Sequence, residues 1–324
     1  MRFLKRSSYL RGTLFSCLIL GENASFLYFP AFFAFFIRCH FIDQVLEYDT
    51  YILHNGGGIT LKKLSVMILA LVFILAITAC GAKPNQAGGT KYKFATDAAY
   101  APMEFMDKDK LSGFDIDFLA EVMKEAGLQY DVTNTGWDTM LTSVQQGKEY
   151  QAGISSVSIT DERKQTYDYT IPYFESTNMI LVKEGSPIKS ATDLKDKKVA
   201  VQISTTADTL MTKIMGADNK ALKRLDNNTL ALMELENSGV DAVVADIAII
   251  REYVKNNPNK KLVAIPDPKN FESEFYGILL PKGSDLKAKL DPAIKKVIEN
   301  GAYAKVYKKW FGQEPDTKKL LEQK

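Results

Sequence analysis

The chain contains very little histidine and cysteine. Of its 324 residues, two are histidine and three are cysteine, namely His40, His54, Cys17, Cys39 and Cys80. Residues 81–324 therefore contain neither type. Ser-His-Asp and Cys-His catalysis are excluded there, as are zinc sites built from nitrogen and sulfur ligands. Disulfide bonds are excluded too, so apolar packing has to hold this part of the chain together.

A surplus of charge of either sign is also missing. Residues 1–80 hold 7 of the 41 basic and 4 of the 39 acidic side chains, which leaves 34 and 35 for residues 81–324 and a net charge of −1. Because no basic block occurs, we expect no nucleic-acid partner. No acidic loop of the EF-hand type occurs either, and we expect neither a metal nor a cofactor. A carboxylate-only enzyme or an oxygen-ligand metal site remains formally open, but binding is favoured over catalysis.

An apolar run at residues 64–77 follows two lysines and contains one polar residue. It is short for a transmembrane helix, which needs about 20 apolar residues, and is typical of a secretory signal peptide. The sequence ITAC (77–80) at its end resembles the lipobox of bacterial lipoproteins, in which the cysteine is acylated and becomes the new N-terminus. We predict a signal peptide at 61–79, a lipidated Cys80 and a flexible tether that continues to residue 90. The alternative is an uncleaved anchor with an incidental cysteine.

Residues 1–60 precede this signal and are rich in phenylalanine without a clean amphipathic period. A signal peptide normally begins at its own initiator, and the leucine codon TTG can start translation in bacteria, so Leu61 is a candidate start. The glycines at 56–58 are consistent with a purine-rich ribosome-binding site read as protein. We predict that residues 1–60 are a translated leader and not native polypeptide. The alternative is a further membrane segment around 26–37, against which its short length argues.

Strand-type and helix-type patterns alternate from residue 92 to residue 300. Apolar residues at helical spacing predict a helix over 114–126, with acidic residues in its first turn and Gly127 after its end. Further helices are predicted at 139–146, 207–215, 230–237, 247–255 and 286–300, and strands at 92–95, 152–155, 198–201, 240–244, 262–265 and 275–280. Strands separated by helices predict an α/β fold with mainly parallel sheets.

Five segments, taken in order, carry a resemblance to a known family. They are ATDAAYAPMEF (95–105), GFDIDFLAEV (113–122), SSVSITDERKQTYDYTIPYFE (155–175), GVDAVVAD (239–246) and YAKVYKKWFG (303–312). Together they resemble the polar amino-acid solute-binding proteins of ABC importers (bacterial extracellular solute-binding proteins, family 3), and among these the basic amino-acid and arginine-binding lipoproteins. The resemblance runs from about residue 91 to residue 312.

The resemblance implies a two-lobe periplasmic-binding-protein-like fold of type II, with a ligand cleft between the lobes. Two hinge strands would cross between the lobes near residues 173–177 and 272–276. Lobe 1 would comprise 91–175 and 277–314, lobe 2 would comprise 176–276, and 315–324 would be a loose polar tail.

A free α-amino acid carries a carboxylate and an ammonium group, so its site needs a cation and an anion that converge. The resemblance places the carboxylate clamp at Arg163, whose planar guanidinium can bind a carboxylate with two hydrogen bonds. It places the partner of the ammonium group at Asp246, which ends an apolar run. Taken alone, an arginine at 163 favours a surface ion pair with Asp161 or Glu162. Asp246 could cap the helix that follows it and still bind the ligand.

Further ligand contacts are implied at the polar residues Ser156, Ser158 and Thr206. The serines would offer a backbone carbonyl and a hydroxyl to the ammonium group. Thr206 would donate its N–H to the carboxylate at the N-terminus of a helix. Without the resemblance, such residues indicate ordinary loop chemistry.

Selectivity for the side chain is expected from Asp97, Tyr100, Trp137 and Gln202. The family uses aromatic residues at these places to sandwich the ligand side chain, although Tyr100 and Trp137 could also be plain core residues. Asp97 would supply a counter-ion, and Gln202 is uncharged. These residues predict a basic ligand, with arginine first and then lysine or histidine.

The expected function is capture of a basic amino acid and its delivery to an ABC permease and, through it, an ATPase. The protein would act as a monomer on the extracellular face of the cytoplasmic membrane, lipid-anchored as in Gram-positive bacteria. The main alternative is binding of glutamine or another polar amino acid. A second is a cyclohexadienyl-dehydratase-like enzyme on the same scaffold, with Glu104 and Asp97 as its carboxylates. A sensor domain of a receptor or channel has no support in the sequence.

Overall fold

A computed structural model describes residues 91–322 of the chain. The strands are Tyr92–Thr96 (β1), Ala99–Tyr100 (β2), Glu104–Asp107 (β3), Lys110–Ser112 (β4), Tyr130–Asn134 (β5), Ala152–Gly153 (β6), Tyr167–Tyr169 (β7), Phe174–Lys183 (β8), Val199–Gln202 (β9), Leu222–Leu225 (β10), Ala242–Asp246 (β11), Leu262–Pro266 (β12), Ser273–Tyr276 (β13) and Leu279–Pro281 (β14). The helices are Phe114–Ala126 (α1), Trp137–Gln146 (α2), Thr206–Met215 (α3), Asn228–Glu236 (α4), Ile247–Asn256 (α5), Leu286–Glu299 (α6), Ala302–Phe311 (α7) and Lys318–Glu322 (α8). Short 3-10 turns lie at Arg163–Gln165, Ala191–Leu194 and Pro258–Lys260.

Two larger sheets organise these elements. The first sheet has the order β5-β1-β6-β14-β7, and the second has the order β10-β9-β11-β8-β12. A small antiparallel sheet, β2-β3-β4, follows β1 in the chain. The predictions for the signal peptide, Cys80 and the leader over 1–60 lie outside the described residues.

Strand β8 connects the two larger sheets. Its first four residues pair antiparallel with β13, from Phe174 opposite Tyr276 to Thr177 opposite Ser273. Its remaining residues pair antiparallel with β11 and β12 in the second sheet. After β13 the chain returns to the first sheet as β14, which pairs with β6 and β7. The two segments predicted as hinge crossings are therefore neighbours in space.

Two predictions about the strands are wrong. The sheets are mixed rather than mainly parallel, because β8, β12 and β14 run antiparallel to their neighbours. The single strand predicted over 275–280 is two strands, β13 and β14, separated by Gly277 and Ile278. At this break Gly277 lies close against Ile159, since a Cβ there would come within 2.9 Å of the Ile159 side chain. An unbroken apolar run in the sequence does not show such a change of sheet.

Helix α1 lies where its periodicity predicts it, and Gly127 ends it in the left-handed conformation with φ 66°. Gly113 precedes it with φ 135°, and a Cβ at this position would lie 2.1 Å from the carbonyl oxygen of Met103. Helices α2, α3 and α4 each begin one or two residues before the predicted start. In α3 and α4 the cause is a side-chain cap, because Thr205 accepts from the N–H of Asp208 and Asn227 from that of Leu230.

Aromatic rings fill the core where the hinge strand β8 meets the last long helices. Phe114 of α1 stacks on Phe118 at 6.1 Å and contacts Tyr303 of α7 edge to face at 5.9 Å. Tyr173, just before β8, stacks on Phe118 at 4.7 Å, and its backbone carbonyl accepts a hydrogen bond from the Tyr303 hydroxyl at 2.7 Å. Packing of this kind fixes the direction that the chain takes from the first sheet into β8.

The prediction of a loose polar tail is wrong for residues 318–322. These residues form α8, whose Leu320 is buried in the main core. Lys319 forms an ion pair with Glu175 on β8 at 2.7 Å. One buried leucine among polar residues is too short a pattern to predict this docking. None of the helices within 91–322 combines the length and apolar content needed to span a membrane.

Candidate ligand-binding site

All nine of the predicted ligand-binding residues line one cavity. They are Asp97, Tyr100, Trp137, Ser156, Ser158, Arg163, Gln202, Thr206 and Asp246. Glu104, Ser155, Thr205 and Asn228 also line it. The cavity has a volume of about 30 Å³, room for a single water, whereas sites for small molecules usually have roughly 300–1,000 Å³.

Strand ends place three of these residues in the cavity. Asp97 directly follows β1, Gln202 is the last residue of β9 and Asp246 is the last residue of β11. Residues at the carboxyl ends of strands lie in the crevice where open α/β sheets bind ligands. Thr205, Thr206 and Ala207, at the start of α3, line the same cavity. The first N–H groups of a helix have no partner within the helix and are available to a ligand.

Arg163 lies across the cavity rather than on the surface. Its N–H donates to the Thr160 hydroxyl at 3.1 Å, which fixes the turn that carries it. Its guanidinium donates to the backbone carbonyls of Ser158 and Ser204, each at 2.9 Å. The alternative of a surface ion pair is wrong for Asp161, which pairs with Lys164 at 3.3 Å. Since a guanidinium has five N–H donors, Arg163 keeps donors for an anion in the cavity.

Asp246 is a buried carboxylate with a raised pKa. The Tyr276 hydroxyl donates to it. Burial, followed by the nearby carboxylate of Glu274, raises the pKa of Asp246 to about 7, although hydrogen bonds from Tyr276 and Tyr100 lower it. Its side chain makes no capping hydrogen bond to α5, so the alternative of a helix cap is not what the structure shows.

Asp97 and Gln202 bind each other across the cavity. The Gln202 amide donates to the Asp97 carboxylate at 2.9 Å, and the Asn228 amide donates to the Gln202 carbonyl at 2.6 Å. Burial raises the pKa of Asp97, while the hydrogen bond from Gln202 lowers it. A carboxylate, an amide and a second amide therefore form one connected chain that could exchange partners with a polar ligand.

The two aromatic residues have different surroundings. Tyr100 lies within reach of Asp246 and has a strongly raised pKa, because it is buried and faces that carboxylate. The Trp137 ring lies under the Arg163 guanidinium, 5.5 Å from its central carbon, and its N–H donates to the Ser204 carbonyl at 3.3 Å. The Arg163 guanidinium thus covers one face of the Trp137 ring. A ligand side chain that stacks on this face would have to share it with Arg163.

A buried pair of carboxyl groups, Glu104 and Asp115, supports the serines of the site. The hydroxyls of Ser155 and Ser156 donate to Glu104 at 2.8 and 3.3 Å, and the Ser156 N–H donates to Asp115 at 2.8 Å. Burial raises the pKa of Asp115 to about 6 and that of Glu104 well above its usual value. Glu104 is part of the wall of the cavity, and Asp115 lies behind it. Together they hold Ser156 in its left-handed conformation with φ 51°.

Sequence analysis missed Glu274 and Asn178. The Glu274 carboxylate accepts hydrogen bonds from the Ser158 hydroxyl (2.6 Å), the Thr206 hydroxyl (2.9 Å) and the Asn178 amide (2.6 Å). Glu274 and Tyr276 are alternate residues of β13 and share a face of the strand, but no sequence pattern marks Tyr276 as a contact of Asp246.

Comparison with known proteins decides the family. Residues 92–313 match the bacterial extracellular solute-binding proteins, family 3. The chain belongs to this family. The resemblance noted in the sequence is thereby confirmed.

Several relatives share this fold over nearly their full length. The crystal structure of the arginine-, lysine-, histidine-binding protein ArtJ from Geobacillus stearothermophilus is 54% identical in sequence, has a TM-score of 0.70, and covers 71% of this chain and 99% of its own. A probable histidine-binding protein from Neisseria gonorrhoeae is 39% identical over 251 residues, which are 74% of this chain and 92% of the relative. The structure of an ancestral arginine-binding protein bound to glutamine is 37% identical, has a TM-score of 0.64, and covers 69% of this chain and 98% of its own.

The predicted fold class, α/β with the two-lobe arrangement of periplasmic binding proteins, is confirmed by these relatives. The two larger sheets are the centres of the lobes, and the cavity takes residues from both. Asp97 follows a strand of the first sheet and Gln202 ends a strand of the second. Chemically, the cavity presents one guanidinium, buried carboxylates and oriented hydroxyls, which suits a ligand that carries both charges.

Proposed function

We propose that this solute-binding protein captures a free basic amino acid, arginine first and then lysine or histidine, and delivers it to an ABC importer. The observation that carries the proposal is that Arg163 and Asp246 line the same cavity. Arg163 would bind the α-carboxylate together with the N-terminus of α3 at Thr206. Asp246 would bind the α-ammonium group together with the carbonyl of Ser156 and the hydroxyl of Ser158.

The preference for a cationic side chain follows from the carboxylate of Asp97, which neither charged group of the amino-acid backbone neutralises. Arg163 and Asp246 offset the two charges of an amino acid, so Asp97 is left to face the side chain, with uncharged Gln202 beside it. An acidic ligand would meet an unpaired carboxylate there, whereas a cationic one gains a counter-ion. Two relatives support the same choice, since one is named for binding arginine, lysine and histidine and the other for binding histidine.

Binding would require the lobes to separate and close again. A cavity of about 30 Å³ is far smaller than an amino acid of the size of arginine needs. An open groove of about 970 Å³ adjoins it, and Arg163 and Thr206 line both spaces. We propose that the ligand enters from this groove when the cross-cleft bonds of Arg163 and Gln202 break.

Calorimetric titration of the purified protein with arginine, lysine, histidine, glutamine and glutamate tests the ligand. We expect arginine to bind most tightly and glutamate not to bind. Asp97→Asn should weaken arginine binding by about tenfold or more, because the side chain loses its counter-ion, and should spare glutamine. Asp218→Asn, a change of an exposed carboxylate on the second lobe, is the control. Glutamine binding tenfold tighter than arginine, or arginine affinity unchanged in Asp97→Asn, would overturn the proposal.

Glutamine is the second candidate ligand. The amide of Gln202 already donates to Asp97, so the same carboxylate can receive the amide of a bound glutamine. An ancestral arginine-binding relative has been solved with glutamine. The titration above separates the two candidates.

We propose further that the protein is not an enzyme. The dehydratase alternative needs a carboxylate in the cavity that is free to contact a substrate. Glu104 is instead fully buried, and it accepts hydrogen bonds from the hydroxyls of Ser155 and Ser156. Incubation with prephenate or arogenate should give no product, and product formed by the wild type would contradict this.

The proposal includes a lipid anchor at Cys80 and a site of action at the outer face of the cytoplasmic membrane, with a permease and its ATPase as partners and the protein itself a monomer. The family is extracellular by its description. Cys80→Ala should release the protein from cells without changing its arginine affinity, because residue 80 precedes the folded lobes. Mass spectrometry of wild-type protein that shows an unmodified Cys80 would contradict the anchor.

A further inference from the structure

Glu274 is the charged residue of the hinge strand β13. Its carboxylate accepts hydrogen bonds from both lobes. It accepts from Ser158, which follows the first-lobe strand β6, and from Thr206, which begins the second-lobe helix α3. The amide of Asn178, opposite Asp246 in the second sheet, donates to its other oxygen. Three donors converge on a carboxylate that the binding scheme above does not use.

These bonds determine where two hydroxyl protons point. A serine or threonine hydroxyl has one proton and two lone pairs. The protons of Ser158 and Thr206 are both directed to the same oxygen of Glu274. Towards the cavity, the Ser158 oxygen can then only accept a hydrogen bond.

An acceptor at Ser158 selects one end of the ligand. Of the two charged groups of an amino acid, the carboxylate has only acceptors and the ammonium group has only donors. The acceptor at Ser158 lies in the same cavity as Asp246. The Ser158 oxygen therefore accepts a hydrogen bond from the ammonium group. It would repel the carboxylate of a ligand bound in the opposite orientation.

Glu274 also adds charge to this end of the cavity. Its carboxylate is the second largest cause, after burial, of the raised pKa of Asp246. The other groups that face Asp246 are the hydroxyls of Tyr276 and Tyr100, which donate to it, and the guanidinium of Arg163. The negative charge of Glu274 thus attracts the ammonium group of a ligand to this end of the cavity. The same charge disfavours the ionised form of Asp246.

We propose that Glu274 is a positioning residue for the α-ammonium group of the ligand, acting through the Ser158 hydroxyl and through its charge beside Asp246. This inference rests on the proposed function. It assigns the hinge strand a part in the orientation of the ligand as well as in connecting the lobes.

The test is the pH profile of arginine affinity, measured by calorimetry from pH 5.5 to 8.5, for wild type, Glu274→Gln and Glu272→Gln. Glu274→Gln removes the charge and turns one acceptor into a donor that can rotate the Ser158 hydroxyl. We expect about tenfold weaker binding at pH 8. We also expect the fall of affinity towards acid pH to move down by half a pH unit or more, because Asp246 then ionises more easily. Glu272→Gln, an exposed neighbour with the same change of charge, should match the wild type.

Three outcomes would contradict one of the two proposals. A uniform loss of affinity with an unchanged pH profile would show that Glu274 is only structural, and affinity equal to the wild type would also overturn the inference. Urea unfolding of Glu274→Gln without ligand checks that the fold is kept. A failure of the wild type itself to bind any amino acid would instead overturn the proposed function.

Discussion

Two serines near the site have a left-handed backbone, Ser156 in the wall of the cavity and Ser204 in that of the adjoining groove. Ser156 has φ 51° and Ser204 has φ 62°. Residues other than glycine rarely adopt this conformation, which costs on the order of 1 kcal/mol or more and concentrates at functional sites. At Ser204 the conformation directs the carbonyl towards both Arg163 and Trp137. At Ser156 it directs the N–H towards Asp115.

Arg163→Ala should abolish binding of every amino acid, whatever its side chain. Removal of one partner of a desolvated charge pair costs on the order of 2–5 kcal/mol and leaves the carboxylate of the ligand unpaired. Calorimetry with arginine, lysine and histidine measures the loss. Arg251→Ala, which removes an exposed arginine from α5, is the matched control. Near-native affinity in Arg163→Ala would show that the carboxylate binds elsewhere.

Single residues of the cavity were predictable where they end a strand or belong to a family motif. Asp97 and Asp246 follow short apolar runs, and the structure brings both to the cavity. Glu274 was not predicted, because its position depends on the pairing of β13 with β8, a contact between residues 96 or more apart in the chain. The roles of all these residues in binding stay predictions until variants are measured.

At the scale of elements, local patterns worked for the helices and failed where the chain changes sheet. Phe114–Ala126 has a clean apolar period and a terminal glycine, so both its ends were predictable. The three short strands β2, β3 and β4 were missed because each has two to four residues and no period to detect. The tail helix α8 was missed because its stability comes from docking on β8 and not from its own sequence.

Substitution of two neighbouring leucines, one buried and one exposed, tests whether α8 packs on the core. Leu320 is 3% exposed, whereas Leu321 is 45% exposed. Leu320→Ala should lower the free energy of unfolding by about 2–3 kcal/mol, because it leaves a cavity in the core. Leu321→Ala should change it by less than about 0.5 kcal/mol. Urea unfolding of both variants tests this, and equal small effects would show that α8 is not held in solution.

At the scale of the whole molecule, the buried carboxyl groups make stability depend on pH. Asp246 has a pKa of about 7 and Asp115 of about 6, both above the usual value of 3.8. Between pH 4 and these values the folded protein holds protons that the unfolded chain releases. Stability is therefore greatest on the acid side of this window and falls as pH rises through 6 and 7.

Without ligand, the free energy of unfolding at pH 5.5 should exceed that at pH 8 by on the order of 2 kcal/mol. Asp246→Asn should flatten the change near pH 7, because the variant has no proton to lose there. Urea unfolding at the two pH values measures the difference, with Asp218→Asn as the control. Wild-type stability that rises from pH 5.5 to pH 8 would contradict the assignment.

The order of strands in the first sheet has a consequence for synthesis of the chain. Strand β14 lies between β6 and β7, although about 125 residues separate it from β6 and about 110 from β7 in the sequence. Until a ribosome has added Pro281, β6 and β7 lack the strand that lies between them, and their facing edges are unpaired. Most of a nascent chain therefore emerges before its first lobe can form. Such a delay keeps the first half of the polypeptide without its partner strand for most of the time that synthesis takes.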